Sequence, residues 1–181
     1  TLVLTGQAER LLEQRERQAF ERNVAPQFLM LRRWFAGKDI GIRQVQVAGT
    51  APLASSRPGK TFLLVRLAVT LKNGDVQSYF TPLVIEENRD DEQIAPYAVA
   101  RVRRGSRIGM VLDADSDPGF GAALIRDMID NRELPLADGA KLKFSGSSRL
   151  VEEADIDLAE IRRMGAEQSN TSIAVGERLM L

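Results

Sequence analysis

The sequence contains neither cysteine nor histidine. Lack of cysteine excludes a disulfide frame, a thiolate zinc site and a cysteine nucleophile. Lack of histidine excludes a Ser-His-Asp triad, an imidazole metal ligand and any side chain with an unperturbed pKa near neutrality. Chemistry here must run on carboxylates, lysine, arginine, tyrosine or a hydroxyl. Neither sign of charge is in excess, with 25 Lys and Arg against 25 Asp and Glu. Such a chain lacks the cationic surplus that broad phosphate-backbone binding needs, so nucleic acid is not an expected partner. No run of about 18 apolar residues occurs, so no membrane span is expected. Thr1–Gly6 leads at once into a charged stretch, unlike a secretory signal. The expected location is the cytoplasm, with which the lack of cysteine is compatible.

What is present fits a globular chain. Of 181 residues, 44% are apolar and 28% charged, values outside the disordered range. A chain of this length buries roughly 70% of its unfolded surface, enough for a true core in one large domain or two small ones. The first residue is Thr1 in place of Met, and Leu179-Met180-Leu181 reads as a strand cut short. Both ends suggest a piece of a longer protein.

The hydrophobic period changes along the chain. Gln7 to Asn23 reads as an amphipathic helix with Ala8, Leu11, Leu12, Ala19 and Phe20 on one stripe. Pro26 is expected to open a second short helix carrying Phe28, Leu29, Leu31, Trp34 and Phe35, with Gly37 capping its end. From residue 40 the period becomes two. Strands are expected around Ile42–Val47, at Thr61–Leu71 and at Val76–Ile85, the last two joined by an Asn73-Gly74 hairpin. Pro82 implies an edge or a bulge. Ala54–Lys60 and Glu86–Glu92 read as loops, and Tyr97–Arg103 with Ile108–Asp113 as a further strand pair. The expectation for residues 40–113 is an antiparallel meander with the N-terminal helix on one face, an α+β fold. Asp117-Pro118 opens another helix, with Asp as N-cap and Pro at the first position. Leu134–Gly139 then reads as a linker, Lys141–Phe144 as a strand, and Thr171–Val175 and Arg178–Leu181 as strands around Gly176-Glu177.

Several motifs admit a plain reading. Asp113, Asp115 and Asp117 alternate as in a calcium loop, but Pro118 and Leu124 occupy the places that need Gly and Glu. A strand end followed by an N-cap is the simpler reading. Gly119-Phe120-Gly121 begins a dinucleotide pattern that Leu124 ends, with no parallel βαβ unit around it. Arg101, Arg103, Arg104 and Arg107 cluster, and the first two share a strand face. They bind a phosphate or an acidic partner, or they are the solvated charge of a sheet edge. Asn170-Thr171-Ser172 matches a glycosylation sequon only by chance in a chain without a signal. The one tryptophan, in Pro26–Lys38, is an aromatic anchor flanked by Arg32, Arg33 and Lys38. Gly165–Leu181 reads as strand, small polar loop, strand, tight turn and strand. Its short hydroxyl and amide side chains let backbone N–H groups approach a phosphate, or belong to an ordinary hairpin.

Two of these blocks together resemble the bacterial maltokinases. Arg33-Trp34-Phe35-Ala36-Gly37-Lys38, after a Pro-Phe-Leu run, looks like the start of the maltokinase N-terminal cap. Glu167-Gln168-Ser169-Asn170-Thr171-Ser172, before an apolar strand and a Gly turn, looks like the nucleotide-loop hairpin of that family. The resemblance spans about residues 9–181. It implies ATP-dependent phosphorylation of maltose at C1 with a divalent metal, usually magnesium, which feeds α-glucan (glycogen) synthesis. It also implies a cap built on a curved sheet with helices, followed by a kinase-like N-lobe. Many such kinases are fused behind a trehalose synthase, and Thr1–Gly6 resembles the last strand of one. The implied division is residues 1–6 as that tail, 7–113 as the cap and 114–181 as a partial N-lobe. The resemblance assigns Gln168, Ser169, Asn170, Thr171 and Ser172 to the nucleotide phosphates. Arg33, Trp34, Phe35 and Lys38 become structural anchors, and no residue here is assigned to catalysis or to metal. The Lys that follows this strand in the family is not reached, so the chain itself is expected to be inactive. Implied partners are its own C-terminal kinase lobe, the synthase domain and maltose. The competing reading is a non-enzymatic, cystatin-like α+β module that docks onto a neighbouring domain.

Overall fold

A computed structural model of the protein describes residues 1–4, 10–58, 60–87, 96–136, 139–148, 150, 161–163, 172–175 and 179–180. The fold is α+β, built on a curled six-stranded sheet. Its strands are β1 (Leu2–Val3), β2 (Ile42–Ala54), β3 (Thr61–Leu71), β4 (Val76–Glu87), β5 (Ala98–Arg104) and β6 (Arg107–Asp113), in the order β1-β5-β6-β4-β3-β2. This corrects the simple meander. After β4 the chain passes over the place next to it, and β6 takes that place. β5 lies outside β6 and receives β1 in parallel, Leu2 opposite Val102.

The β3–β4 hairpin follows its sequence signal. Leu71 N–H donates to the Asp75 carbonyl at 2.8 Å, and Gly74 takes a φ of +97° that its lack of Cβ makes cheap. That bond also fixes the ladder's alternation, which makes Leu64 and Pro82 a non-hydrogen-bonded pair. The Pro82 nitrogen therefore points away from β3. The β4–β6 ladder begins only at Leu83 and Asp113, so Pro82 sits one residue beyond it, on a locally open stretch. The outer edge of the sheet is β2. There Val47 N–H donates to Glu21 Oε1 at 2.7 Å, and its carbonyl accepts from Arg17 Nη2 at 2.6 Å. An Arg17–Glu21 ion pair at 3.0 Å thus stands in for a missing strand partner.

The helical segment differs from the expected pair of helices. Residues 14–31 form one run: α1 (Gln14–Ala19), a π turn (Phe20–Val24) and α2 (Ala25–Leu31). Pro26 has no N–H, and its ring crowds the Arg22 carbonyl one turn back. The turn before it widens, and Ala25 N–H reaches the Phe20 carbonyl five residues behind. Leu31 ends the run, so Gly37 caps no helix. A Cβ at Gly37 would lie 2.6 Å from Leu71 Cδ2 and 2.7 Å from Phe35 Cζ, so close packing is what this position requires.

Each sheet face has its own core. On one face Val45, Val47, Val65, Leu67, Val69, Leu83 and Val111 pack with Leu11, Phe20, Phe28, Leu29 and Phe35 from the helical side. On the other, Leu53, Phe62, Leu64, Val84 and Leu112 receive Phe120 and Ala123 of α3 (Pro118–Ile129), with Phe144. Burial of these apolar side chains contributes about 1.5–3 kcal/mol each. The expected linker at 134–139 is instead flanked by a two-stranded ribbon, β7 (Glu133–Pro135) and β8 (Lys141–Lys143). A third sheet joins β9 (Ile161–Arg163), β10 (Ile173–Val175) and β11 (Leu179–Met180) in the order β11-β10-β9. No described helix is long and apolar enough to cross a membrane.

Candidate functional site

The aromatic block lies where the helical run meets the sheet. Phe35 is buried, Trp34 and Lys38 half-buried, and Arg33 exposed. The Trp34 ring lies 6.3 Å from Phe28, edge-on, and 5.7 Å from Tyr79 of β4. Phe35 meets the same Tyr79 at 5.3 Å. These spacings are those of favourable aromatic pairs, about 0.5–1.5 kcal/mol each beyond area burial. The guanidinium that stacks is that of Arg32, 4.1 Å above Phe28, and it also donates to the Pro96 carbonyl at 2.9 Å. Tyr79 was missing from the sequence reading. Its signal was the period of two in β4, which places it on the helix-facing side with Thr81 and Leu83.

A second constellation sits at the start of α3. Lys60 Nζ bridges the carboxylates of Glu86 on β4 and Asp117. The other Asp117 oxygen accepts from Gly119 N–H at 2.8 Å, the N-cap bond expected of this Asp-Pro pair. Asp113 Oδ1 likewise accepts from Asp115 N–H at 3.2 Å and turns the end of β6 into a 3-10 turn over Ala114–Ser116. Two of the three alternating carboxylates, Asp113 and Asp117, therefore serve the backbone, and among the described residues no group of three acidic side chains could hold a metal. Lys60 carried no sequence signal, because its two partners are remote in the chain. Only the hairpin register and the α3 cap bring them together.

The arginine cluster divides. Arg104 and Arg107 flank the β5–β6 turn and donate to the two oxygens of Glu87 at 3.0 and 3.1 Å. Hydrogen bonds from Arg104 and then Arg107 hold the Glu87 carboxyl below its ordinary value of 4.5. Arg101 and Arg103 lie exposed on the opposite face. The edge reading fails at Arg103, because β1 already lies beside it.

The face of α3 away from the large sheet carries the β9–β10 ladder. Ala122 and Ile125 pack with Leu150, Ile161 and Ile173. A Cβ at Gly121 would stand 3.0 Å from Ile161 Cγ2 and 3.1 Å from Ile173 Cγ2. The second glycine of the abandoned dinucleotide pattern thus permits a close helix–strand approach. Ser172, half-buried, directly precedes β10. Gln168, Ser169, Asn170 and Thr171 lie outside the described residues, so the geometry of the expected phosphate loop is not defined beyond Ser172. The structure therefore brings Trp34 and Phe35 together at Tyr79 and places Ser172 on the far side of α3 from them.

No curated protein matches the chain. Comparison with protein-family models matches residues 28–117 to the maltokinase N-terminal cap domain. The match begins at Phe28, the ring under Arg32, and ends at Asp117, the cap of α3. It takes in the Trp34 block and strands β2 to β6. Residues 28–117 of this chain are a maltokinase N-terminal cap domain.

Proposed function

We propose that the chain is the N-terminal part of a maltokinase, which transfers a phosphoryl group from ATP to C1 of maltose, and that its cap domain braces the nucleotide-binding part of the enzyme. The observation that carries this reading is the cap-domain match over residues 28–117. The packing of α3 supports the bracing role, because one helix contacts the cap sheet through Phe120 and the β9–β10 ladder through Gly121. In this reading Gln168 to Ser172 cradle the ATP phosphates through backbone amides, where a nest of N–H groups suits an anion. Trp34 and Phe35, with Arg33 and Lys38 around them, anchor the helical side of the cap. Magnesium bound with the nucleotide supplies charge neutralisation at the transferred phosphoryl group. The residues that hold it, the catalytic base and the maltose pocket belong to the kinase lobe. A trehalose synthase domain ahead of Thr1 completes the same reading, with trehalose, maltose and α-glucan metabolism joined in one chain.

Phosphoryl transfer needs nucleotide, metal and acceptor positioned together, so the 181-residue chain alone is not a kinase. Titration calorimetry with ATP and magnesium compares it with the full-length parent. The parent binds in the micromolar to millimolar range, and the chain at least tenfold more weakly. Equal affinities reject the reading. Removal of residues 7–113 from the parent is expected to lower both its turnover and its stability.

A further inference from the structure

Arg101 and Arg103 have no hydrogen-bond or ion-pair partner among the described residues, in contrast to Arg104 and Arg107, which share Glu87. They are not guarding an open edge either, since β1 pairs with Val102 and Arg103. The ladder defines what surrounds them. Residues directly opposite one another share a face, so Val3, Arg103 and Ile108 form one row across β1, β5 and β6. Arg101 and Met110 form the next row, and Glu86 beyond them is held by Lys60. Ile108 is 64% exposed and Val3 38%. Two unpaired guanidiniums thus stand beside two uncovered apolar side chains, with no free carboxylate in either row.

We propose that this face docks an extended acidic protein segment with a carboxylate at every second residue. Arg101 and Arg103 are separated by one strand repeat of two residues, about 6.6 Å, which is also the spacing of alternate carboxylates on an extended segment. Each guanidinium can take one carboxylate through two parallel hydrogen bonds. Ile108 and Val3, on either side of Arg103 in the same row, then bury beneath the backbone of the segment and the methylene stems of its acidic side chains. Polyanions such as nucleic acid or a lipid surface fit less well. They gain from many cations and counterion release, and a chain of zero net charge with two free arginines beside apolar groups supplies neither. The proposal is independent of the kinase reading.

The test is calorimetry of the whole chain with a synthetic peptide of alternating Glu and Thr, and in parallel with polyphosphate and with phosphatidylserine vesicles. The peptide is expected to bind, with affinity falling at least tenfold in the Arg101→Gln/Arg103→Gln variant and severalfold in Ile108→Ser. Arg107→Gln, on the other face, leaves it within twofold. All four positions are exposed, and an unchanged Tm shows that the variants fold. The proposal is overturned if the peptide does not bind, if the double variant binds it like the unmodified chain, or if polyphosphate or vesicles bind and the peptide does not.

Discussion

One hydroxyl works against the core of the large sheet. Thr81 is 1% exposed among apolar residues, and its Oγ1 has no hydrogen-bond partner. A buried polar group left unpaired costs about 1–3 kcal/mol, whereas a shape-matched apolar group avoids that cost. Thr81→Val is expected to raise stability by about 1 kcal/mol, read as a higher urea midpoint with an unchanged slope. A lower midpoint would show that the hydroxyl has a partner. Glu87 acts in the other direction. Its folded pKa lies below 4.5 because Arg104 and Arg107 donate to it. Its contribution is therefore present above the unfolded value and is lost as pH falls through the lowered folded value. The stability gap between the chain and Glu87→Gln should close on acidification from neutral pH to below 4.5. The pair is partly exposed, so added salt should shrink the gap as well. A gap that ignores both pH and salt contradicts the assignment.

At the scale of elements, Gly109 decides how closely β6 can lie against β4. A Cβ there would stand 2.4 Å from the Glu86 carbonyl oxygen, a backbone atom that cannot rotate away. Gly109→Ala should cost about 1–3 kcal/mol, the range of overpacking, and lower the Tm by several degrees. An unchanged Tm would contradict so close an approach of the two strands. This demand was invisible in the sequence, where Gly109 is one residue of the expected strand Ile108–Asp113. The strands themselves were legible. Thr61–Leu71 and Val76–Ile85 are rich in β-branched and apolar residues, and Asn73-Gly74 lies between them. Two features differ from the sequence reading and a third carried no signal, each for a physical reason. Pro26 signals both a helix start and a helix break, and it instead widens one turn of a continuous run. The exchange of β5 and β6 rests on the connection from β4, whose composition does not specify a place in the sheet. The Lys60 junction is made by residues that share no local pattern.

At the scale of the whole molecule, the large sheet is a platform with two occupied faces. The helical run, Trp34 and Phe35 cover one, and α3 covers part of the other. Two local blocks of sequence, Arg33–Lys38 and Gln168–Ser172, resemble the maltokinases, and the cap-domain match contains the first of them. The second lies beyond that match and almost wholly outside the described residues, so its role rests on the proposed function. The acidic cluster at Asp113–Asp117 was legible from spacing, because Pro118 and Leu124 disfavour a calcium loop and Asp113 and Asp117 cap turns. The hold of Asp117 on Lys60 was not, since Lys60 is remote in the chain. The central claim is that this cap serves a sugar kinase. The most direct test incubates the full-length parent with ATP, magnesium and maltose and follows the phosphorus spectrum. The account predicts maltose 1-phosphate from the parent, a markedly lower rate from the parent without residues 7–113, and no product from the 181-residue chain. A parent that phosphorylates no maltose, or that does so at full rate without its cap, would contradict it.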